Sequence, residues 1–113
     1  MIKVDGRTII MTQANTGQIT FNMYGPDREA LDLSAYTLTF MVKKSKRDAD
    51  SDAFIVKEVK DVEGNQAVFL LLPKDSNIPV GTYWWGCQIV QGDYVNQFGS
   101  GPFIISDGVI NND

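Results

Sequence analysis

The fold class follows from one stretch of the sequence, Ile78-Pro79-Val80-Gly81-Thr82-Tyr83-Trp84-Trp85-Gly86-Cys87-Gln88-Ile89-Val90. In this stretch a turn that contains proline and glycine runs directly into a long, aromatic-rich segment, which is typical of a β-strand. Side chains alternate between the two faces of a strand. We therefore expect Tyr83, Trp85 and Cys87 to face the core and Trp84 to point outward.

The rest of the chain is also punctuated by turns, and the runs between them alternate in hydrophobicity with a period of two residues. This pattern predicts strands over 7–13, 18–24, 36–43, 54–59, 67–72, 83–90, 94–98 and 103–106, and a hairpin turn at 63–65. The segment 73–80 holds two prolines and is predicted to be a loop with at most one helical turn. We predict an all-β fold, an antiparallel β-sandwich of seven to eight strands, with a closed barrel as the main rival.

Within the sandwich, Gly81-Thr82-Tyr83 resembles the tyrosine corner of immunoglobulin-like folds. The phenol hydroxyl of that motif bonds to backbone a few residues upstream, which here is expected near Asp75. Gly81 and Pro79 are predicted to form the turn before the strand. The predicted core residues are Trp85, Phe40, Phe21 and Leu70.

Length and composition fit a single domain. The chain has 113 residues, of which 43% are hydrophobic and 21% are charged, as in ordinary globular proteins. At this length roughly two-thirds of the extended chain's surface is buried on folding. We expect one β-sandwich domain over 1–113, with a core over about 7–106 and a loose tail over 107–113, that folds without a cofactor or metal.

Charge and cysteine content argue against several classes of partner. The net charge of −4 does not fit the positive surface that nucleic-acid binding requires. No apolar run approaches the roughly 18 residues that span a bilayer, and the charged first residues do not match a signal peptide. The single cysteine, Cys87, fits a reducing compartment, and we expect it to be a small buried hydrophobe rather than a reactive thiol.

The residues that catalysis usually needs are scarce in this sequence. The chain has no histidine and one cysteine, which excludes serine or cysteine triads, histidine-bearing zinc sites and thiolate cages. Asp48, Asp50 and Asp52 imitate the start of a calcium-binding EF-hand loop, but Ala53 stands where that loop needs glycine and Val59 where it needs glutamate. We predict a solvated acidic loop and no enzymatic activity.

Two surface features remain as candidates for binding. The basic run 43–47 could dock an acidic partner or a lipid headgroup, but we favour a self-compensating loop because aspartates follow directly. Trp84, Tyr94 and Phe98 form the second candidate. A protein interface is favoured for these aromatic residues, since tryptophan is enriched among residues that dominate binding energy. Ordinary partial burial and a platform for sugar rings are the alternatives.

Several short motifs, taken in order, resemble the N-terminal domain of bacteriophage baseplate upper proteins. In that family a strand pair carries a D/N-T-G turn, a "dLsgy" segment precedes a strand of the form F-x-V-K, and an L-x-x-D-T/S-x-I-P-x-G-x-Y segment leads into the longest strand. The likeness covers about residues 7–106 of this chain. The matching segments are Asn15-Thr16-Gly17, Leu31-Asp32-Leu33-Ser34-Ala35-Tyr36, Phe40-Met41-Val42-Lys43, Glu63-Gly64, Leu72-Pro73-Lys74-Asp75-Ser76 and Ile78-Pro79-Val80-Gly81-Thr82-Tyr83.

The resemblance implies an immunoglobulin-like sandwich that acts as a non-catalytic attachment module in a phage or prophage tail baseplate. Its implied partners are other virion or baseplate proteins or further copies of the chain, and its implied location is the virion tail after synthesis in the bacterial cytoplasm. Family members usually continue into helical or fibre-forming segments, so we expect an excised domain or a short stand-alone relative. The alternative from another class is a carbohydrate-binding module of a host-recognition apparatus.

Overall fold

Strands make up most of the computed structural model, which describes residues 2–5, 7–24, 28–60, 62 and 64–107. The strands are β1 (Ile2–Asp5), β2 (Thr8–Thr12), β3 (Gly17–Asn22), β4 (Thr37–Lys43), β5 (Ile55–Val59), β6 (Gln66–Leu71), β7 (Gly81–Gln91) and β8 (Tyr94–Ser106). A four-residue helix, α1 (Pro73–Ser76), precedes β7, and a 3-10 turn spans Asp50–Asp52. The predicted all-β fold is confirmed, and 73–80 holds the single helical turn that the sequence allowed. The predicted tail lies outside the described residues except for Asp107.

Two sheets form a sandwich-like body. The large sheet has the order β1-β2-β8-β7-β4-β5, and the small sheet consists of β3 and β6. Every strand pair is antiparallel except β2 with β8, which run parallel with Ile9 opposite Phe103. The purely antiparallel arrangement predicted from the sequence is therefore wrong for this pair. Because β2 and β8 are separated by most of the chain, no tight turn between them imposes an antiparallel direction.

Some connections differ from those predicted. The turn at Gly64 and Asn65 does not close a hairpin, because β5 pairs with β4 in the large sheet whereas β6 pairs with β3 in the small one. The segments 94–98 and 103–106 form one continuous strand, β8, rather than two strands. Strand β1 was not predicted at all.

The core lies between the two sheets and follows the alternation of β7. Tyr83, Trp85 and Cys87 are buried on the inner face, as predicted. Phe40 is buried beside them, and Phe21 is partly buried against the same cluster. The core prediction is wrong for one residue, Leu70, whose relative exposure is 49%. The core-facing side chains of β6 are instead those of Ala67, Phe69 and Leu71.

Trp85 joins the core to the turn before β2. Its ring packs against Phe40 at a centroid distance of 6.0 Å and against Phe21 at 5.7 Å. Its indole Nε1 donates a hydrogen bond of 2.7 Å to the backbone carbonyl of Arg7. Gly101 lies opposite Trp85 in β8, and a Cβ atom at Gly101 would stand 2.3 Å from that same carbonyl oxygen. The close approach of Arg7 to β8 therefore requires a residue without a side chain.

The corner before β7 is built as the tyrosine-corner likeness predicted, although its acceptor differs. The hydroxyl of Tyr83 donates a 2.6 Å hydrogen bond to the carbonyl of Pro79, four residues upstream, and not to the chain near Asp75. The hydroxyl is protonated at neutral pH, and burial raises the pKa of Tyr83 further above its ordinary value of 10.0. Gly81, at a φ of +155°, has a backbone conformation that residues with a Cβ rarely adopt.

Asp75 fastens the connection after β6 to the large sheet. Its carboxylate accepts a 2.8 Å hydrogen bond from the amide of Leu72 and pairs with Lys57 of β5 at 2.7 Å. Partial burial works to raise the pKa of Asp75, but the hydrogen bonds from Lys57 and Leu72 outweigh it and hold the pKa below its ordinary value of 3.8. Asp75 thus ties α1, which follows β6 of the small sheet, to β5 of the large sheet through a charged contact.

We predict that Gly101→Ala destabilises the fold severely, because the new methyl group must displace the Arg7 backbone and with it the acceptor of the Trp85 indole. The expected loss is at least about 2 kcal/mol of unfolding free energy, measured by urea denaturation. Gly86→Ala is the matched control in the neighbouring strand. Its Cβ would meet the end of the flexible Gln97 side chain at 3.1 Å, so we expect a much smaller loss. Equal losses in the two variants would contradict the close-approach argument.

We predict that Asp75→Asn lowers the unfolding free energy at pH 7 by about 1 kcal/mol, the usual value of a helix-capping interaction. A depressed pKa means that the native state favours the carboxylate, so this stabilisation is complete above pH 3.8 and is lost as the pH falls through the folded-state pKa. Denaturation curves between pH 7 and pH 2 should therefore show a smaller acid-dependent loss in the variant. Asp93→Asn, in the exposed turn after β7, should keep the acid dependence of the unchanged protein. Identical pH profiles for Asp75→Asn and the unchanged protein would refute this role.

Candidate functional site

The outer face of the large sheet carries a groove of about 670 Å³ opposite the core. Its floor consists of three cross-strand rows contributed by β4, β7 and β8. The middle row has the small residues Gly86 and Ser100 beside Met41. The rows on either side hold larger side chains, so the groove exists because the centre of the sheet has little side-chain bulk. The outer rows are Thr39, Gln88 and Gln97 at one end and Lys43, Trp84 and Pro102 at the other.

Trp84 is therefore placed as the alternation of β7 predicted, on the face opposite Trp85. It is partly exposed and lines the groove together with Met41. Gln88 and Gln97 add amide groups that can both donate and accept hydrogen bonds. The volume of the groove lies within the range of ordinary ligand pockets, roughly 300–1,000 Å³. Its chemistry is mixed, with the Trp84 ring at one end, the Met41 thioether in the middle row and the two amides at the other end.

The loop after β4 forms the rim of the groove near Trp84. Lys43 anchors this loop, because its ammonium donates to the backbone carbonyl of Asp48 at 2.9 Å and forms an ion pair with Asp50. The side-chain carboxylate of Asp48 accepts a 3.0 Å hydrogen bond from the backbone amide of Ser45. Two of the aspartates that imitate a calcium loop are thus engaged within the loop itself.

The predicted charge compensation holds for only part of the basic run. Lys43 is paired with Asp50, but no carboxylate of a described residue forms an ion pair with Lys46 or Arg47. The ammonium of Lys46 lies 5.4 Å from the centroid of the Trp84 ring, which is a cation–π contact. Both Lys46 and Arg47 are exposed and line the groove. This end of the groove therefore has a local excess of positive charge.

The structure does not bring Trp84, Tyr94 and Phe98 together into one platform. Tyr94 is 51% exposed at the far end of the β7–β8 hairpin, roughly 23 Å along the strand from Trp84, and contacts Tyr36 edge to face. Phe98 packs edge to face on Phe21 at 5.4 Å, on the core side of the sheet. A shift of register beside Cys87 and Gln88 places Phe98 there, because one extra residue in β8 reverses the facing of its side chains.

Cys87 is not placed to react. Its thiol is buried, and burial raises the pKa to about 12, so the thiolate that would act as a nucleophile is not formed at neutral pH. Within the described residues, no cluster of three or more carboxylate and thiol groups is positioned to hold a metal ion. The described part of the chain also has no helix of the length and apolarity needed to cross a membrane.

Comparison with known proteins adds no relative to this description. No protein-family model matches the chain, and a search of curated proteins gives no match. The likeness to baseplate proteins therefore rests on the motifs in the sequence.

Proposed function

We propose that this domain is a non-catalytic attachment module of a phage or prophage tail baseplate, which docks to other virion proteins in assembly. The observation that carries the proposal is Trp84, a large aromatic residue that rigid strands hold on the floor of an open groove. Tryptophan in such a position is typical of the residues that dominate protein interfaces. The groove faces away from the core, so a partner can occupy it without any change in the sandwich.

The residues that carry the baseplate likeness support this proposal because they lie at structural corners. The carbonyl of Pro79 receives the Tyr83 hydroxyl, and Asp75 caps the helical turn before β7. These residues fix the start of β7, the strand that holds Trp84. Tyr94, exposed at the opposite end of the β7–β8 hairpin, offers a second and separate contact. A module that joins two neighbours in an assembly needs two such surfaces.

The protein composition of purified phage tail particles tests this function. We expect the chain to co-purify with tail particles through density-gradient centrifugation and to be found there by mass spectrometry in a fixed ratio to the other tail proteins. We expect Trp84→Ala to lower its incorporation at least fivefold while its thermal unfolding stays close to that of the unchanged protein. Gln91→Ala, an exposed substitution outside the groove, is the control. Absence of the unchanged chain from the particles would refute the proposed function.

A carbohydrate-binding module is the second candidate, and the observation that favours it is that the amides of Gln88 and Gln97 line the same groove as Trp84. Sugar hydroxyls pair readily with amides, and sugar rings pack on indole faces. If the groove binds sugar, titration with cell-wall polysaccharide will shift the tryptophan fluorescence, and Trp84→Ala will abolish the shift without changing the assembly state. The docking proposal instead predicts no saturable shift with a neutral cell-wall polysaccharide.

A further inference from the structure

The rim of the groove is more positive than the rest of the molecule. Lys46 and Arg47 have no ion-pair partner among the described residues, although the whole chain has a net charge of −4. Charges at a surface act over about one Debye length, ~8–10 Å at moderate salt. The two cations therefore attract an anionic group to this end of the groove.

The floor beside these cations carries two large apolar side chains. Met41 and Trp84 flank Gly86, and the flexible amide end of Gln97 reaches over Gly86, 3.1 Å from where a Cβ atom would stand. Tryptophan, methionine and arginine are enriched at the centres of protein interfaces. The groove extends over Thr39–Lys43 of β4, roughly 13 Å along the strand, which is the length of about four extended residues.

The position of Lys46 distinguishes between kinds of ligand. Its ammonium lies over the Trp84 ring, 5.4 Å from the centroid, and so occupies one face on which a neutral sugar would stack. A carboxylate, in contrast, can pair with the ammonium where it already stands. The contact between Lys46 and Trp84 thus favours an acidic ligand over a neutral saccharide.

We infer that the groove binds an acidic, extended segment of a partner protein. Carboxylates of this segment pair with Lys46 and Arg47, and an apolar side chain packs between Met41 and Trp84, where it displaces the flexible amide end of Gln97 from above Gly86. The inference rests on the proposed docking function and adds the chemistry of the partner. A bound carboxylate also changes the environment of the Trp84 indole, because the ammonium on the ring becomes paired.

Calorimetric titration with synthetic peptides tests the inference. The probe is an eight-residue peptide in which aspartates and glutamates flank one leucine, and its control has asparagine and glutamine in place of every acid. We expect saturable binding of the acidic peptide, accompanied by a change in tryptophan fluorescence, and none of the amide peptide. The affinity should fall at least about tenfold between 50 and 500 mM NaCl, since salt screens exposed charges.

Two matched double variants locate the binding site. Lys46→Glu with Arg47→Glu should weaken the acidic peptide at least tenfold. Lys60→Glu with Lys74→Glu makes the same change in net charge at exposed positions outside the groove, and should leave the affinity within about twofold. A third measurement titrates a polyuronic acid oligosaccharide, which carries carboxylates without a peptide chain and should bind more weakly than the peptide.

Three results would overturn the inference: no saturable binding at 1 mM peptide, equal weakening in the two double variants, or tighter binding of the polyuronate than of the peptide.

Incorporation into tail particles distinguishes failure of this inference from failure of the proposed function. If the Lys46→Glu, Arg47→Glu variant enters particles as well as the unchanged chain does, the groove is not the docking site and the attachment function stands. If the unchanged chain does not enter particles, the attachment function itself fails.

Discussion

The fold depends on one buried contact, the hydrogen bond from the Trp85 indole to the carbonyl of Arg7. An indole N–H that is buried without a partner costs about 1–3 kcal/mol, so the ring can fill the core only if an acceptor reaches it. Gly101 makes this possible, because any side chain there would push the Arg7 backbone away. The same approach brings the start of β2 beside β8, where the two strands pair in parallel.

The position of the candidate site on the outer face of β7 follows from the burial of Trp85 on its inner face. Because successive side chains alternate, burying Trp85 places Trp84 on the outer face, and the next outward residue, Gly86, adds no side chain to the floor of the groove. One strand therefore supplies both the centre of the core and the floor of the site. A partner that binds the groove contacts residues whose backbone is already fixed by the core, so docking needs little reorganisation of the domain.

The sequence predicted the facing of β7 correctly because polar and small residues interrupt its aromatic pattern on one side. The predicted burial of Leu70 was wrong, because the five consecutive apolar residues in 68–72 show no alternation from which the inner face of the strand can be identified. The inward position of Phe98 was not predicted, because a bulge that depends on the pairing between strands reverses the facing of one segment of β8.

The parallel pairing of β2 with β8 depends on contacts between distant parts of the chain, which local patterns do not contain. The basic rim was visible as a run of charges, but only the structure shows that Asp50 pairs with Lys43 and Asp48 with the Ser45 amide, while Lys46 and Arg47 have no ion-pair partner among the described residues.

If the domain docks through the groove lined by Trp84 and Gly86, a residue-by-residue map of binding will locate the contact there. Two-dimensional ¹H–¹⁵N spectra recorded while the acidic peptide is added give such a map. We expect the shifts to concentrate at the indole N–H of Trp84 and the amides of Lys46, Arg47 and Gly86, while the signal of the buried Trp85 indole N–H stays in place. Shifts centred on the outer face of the small sheet around Leu70, with the Trp84 indole unmoved, would contradict it.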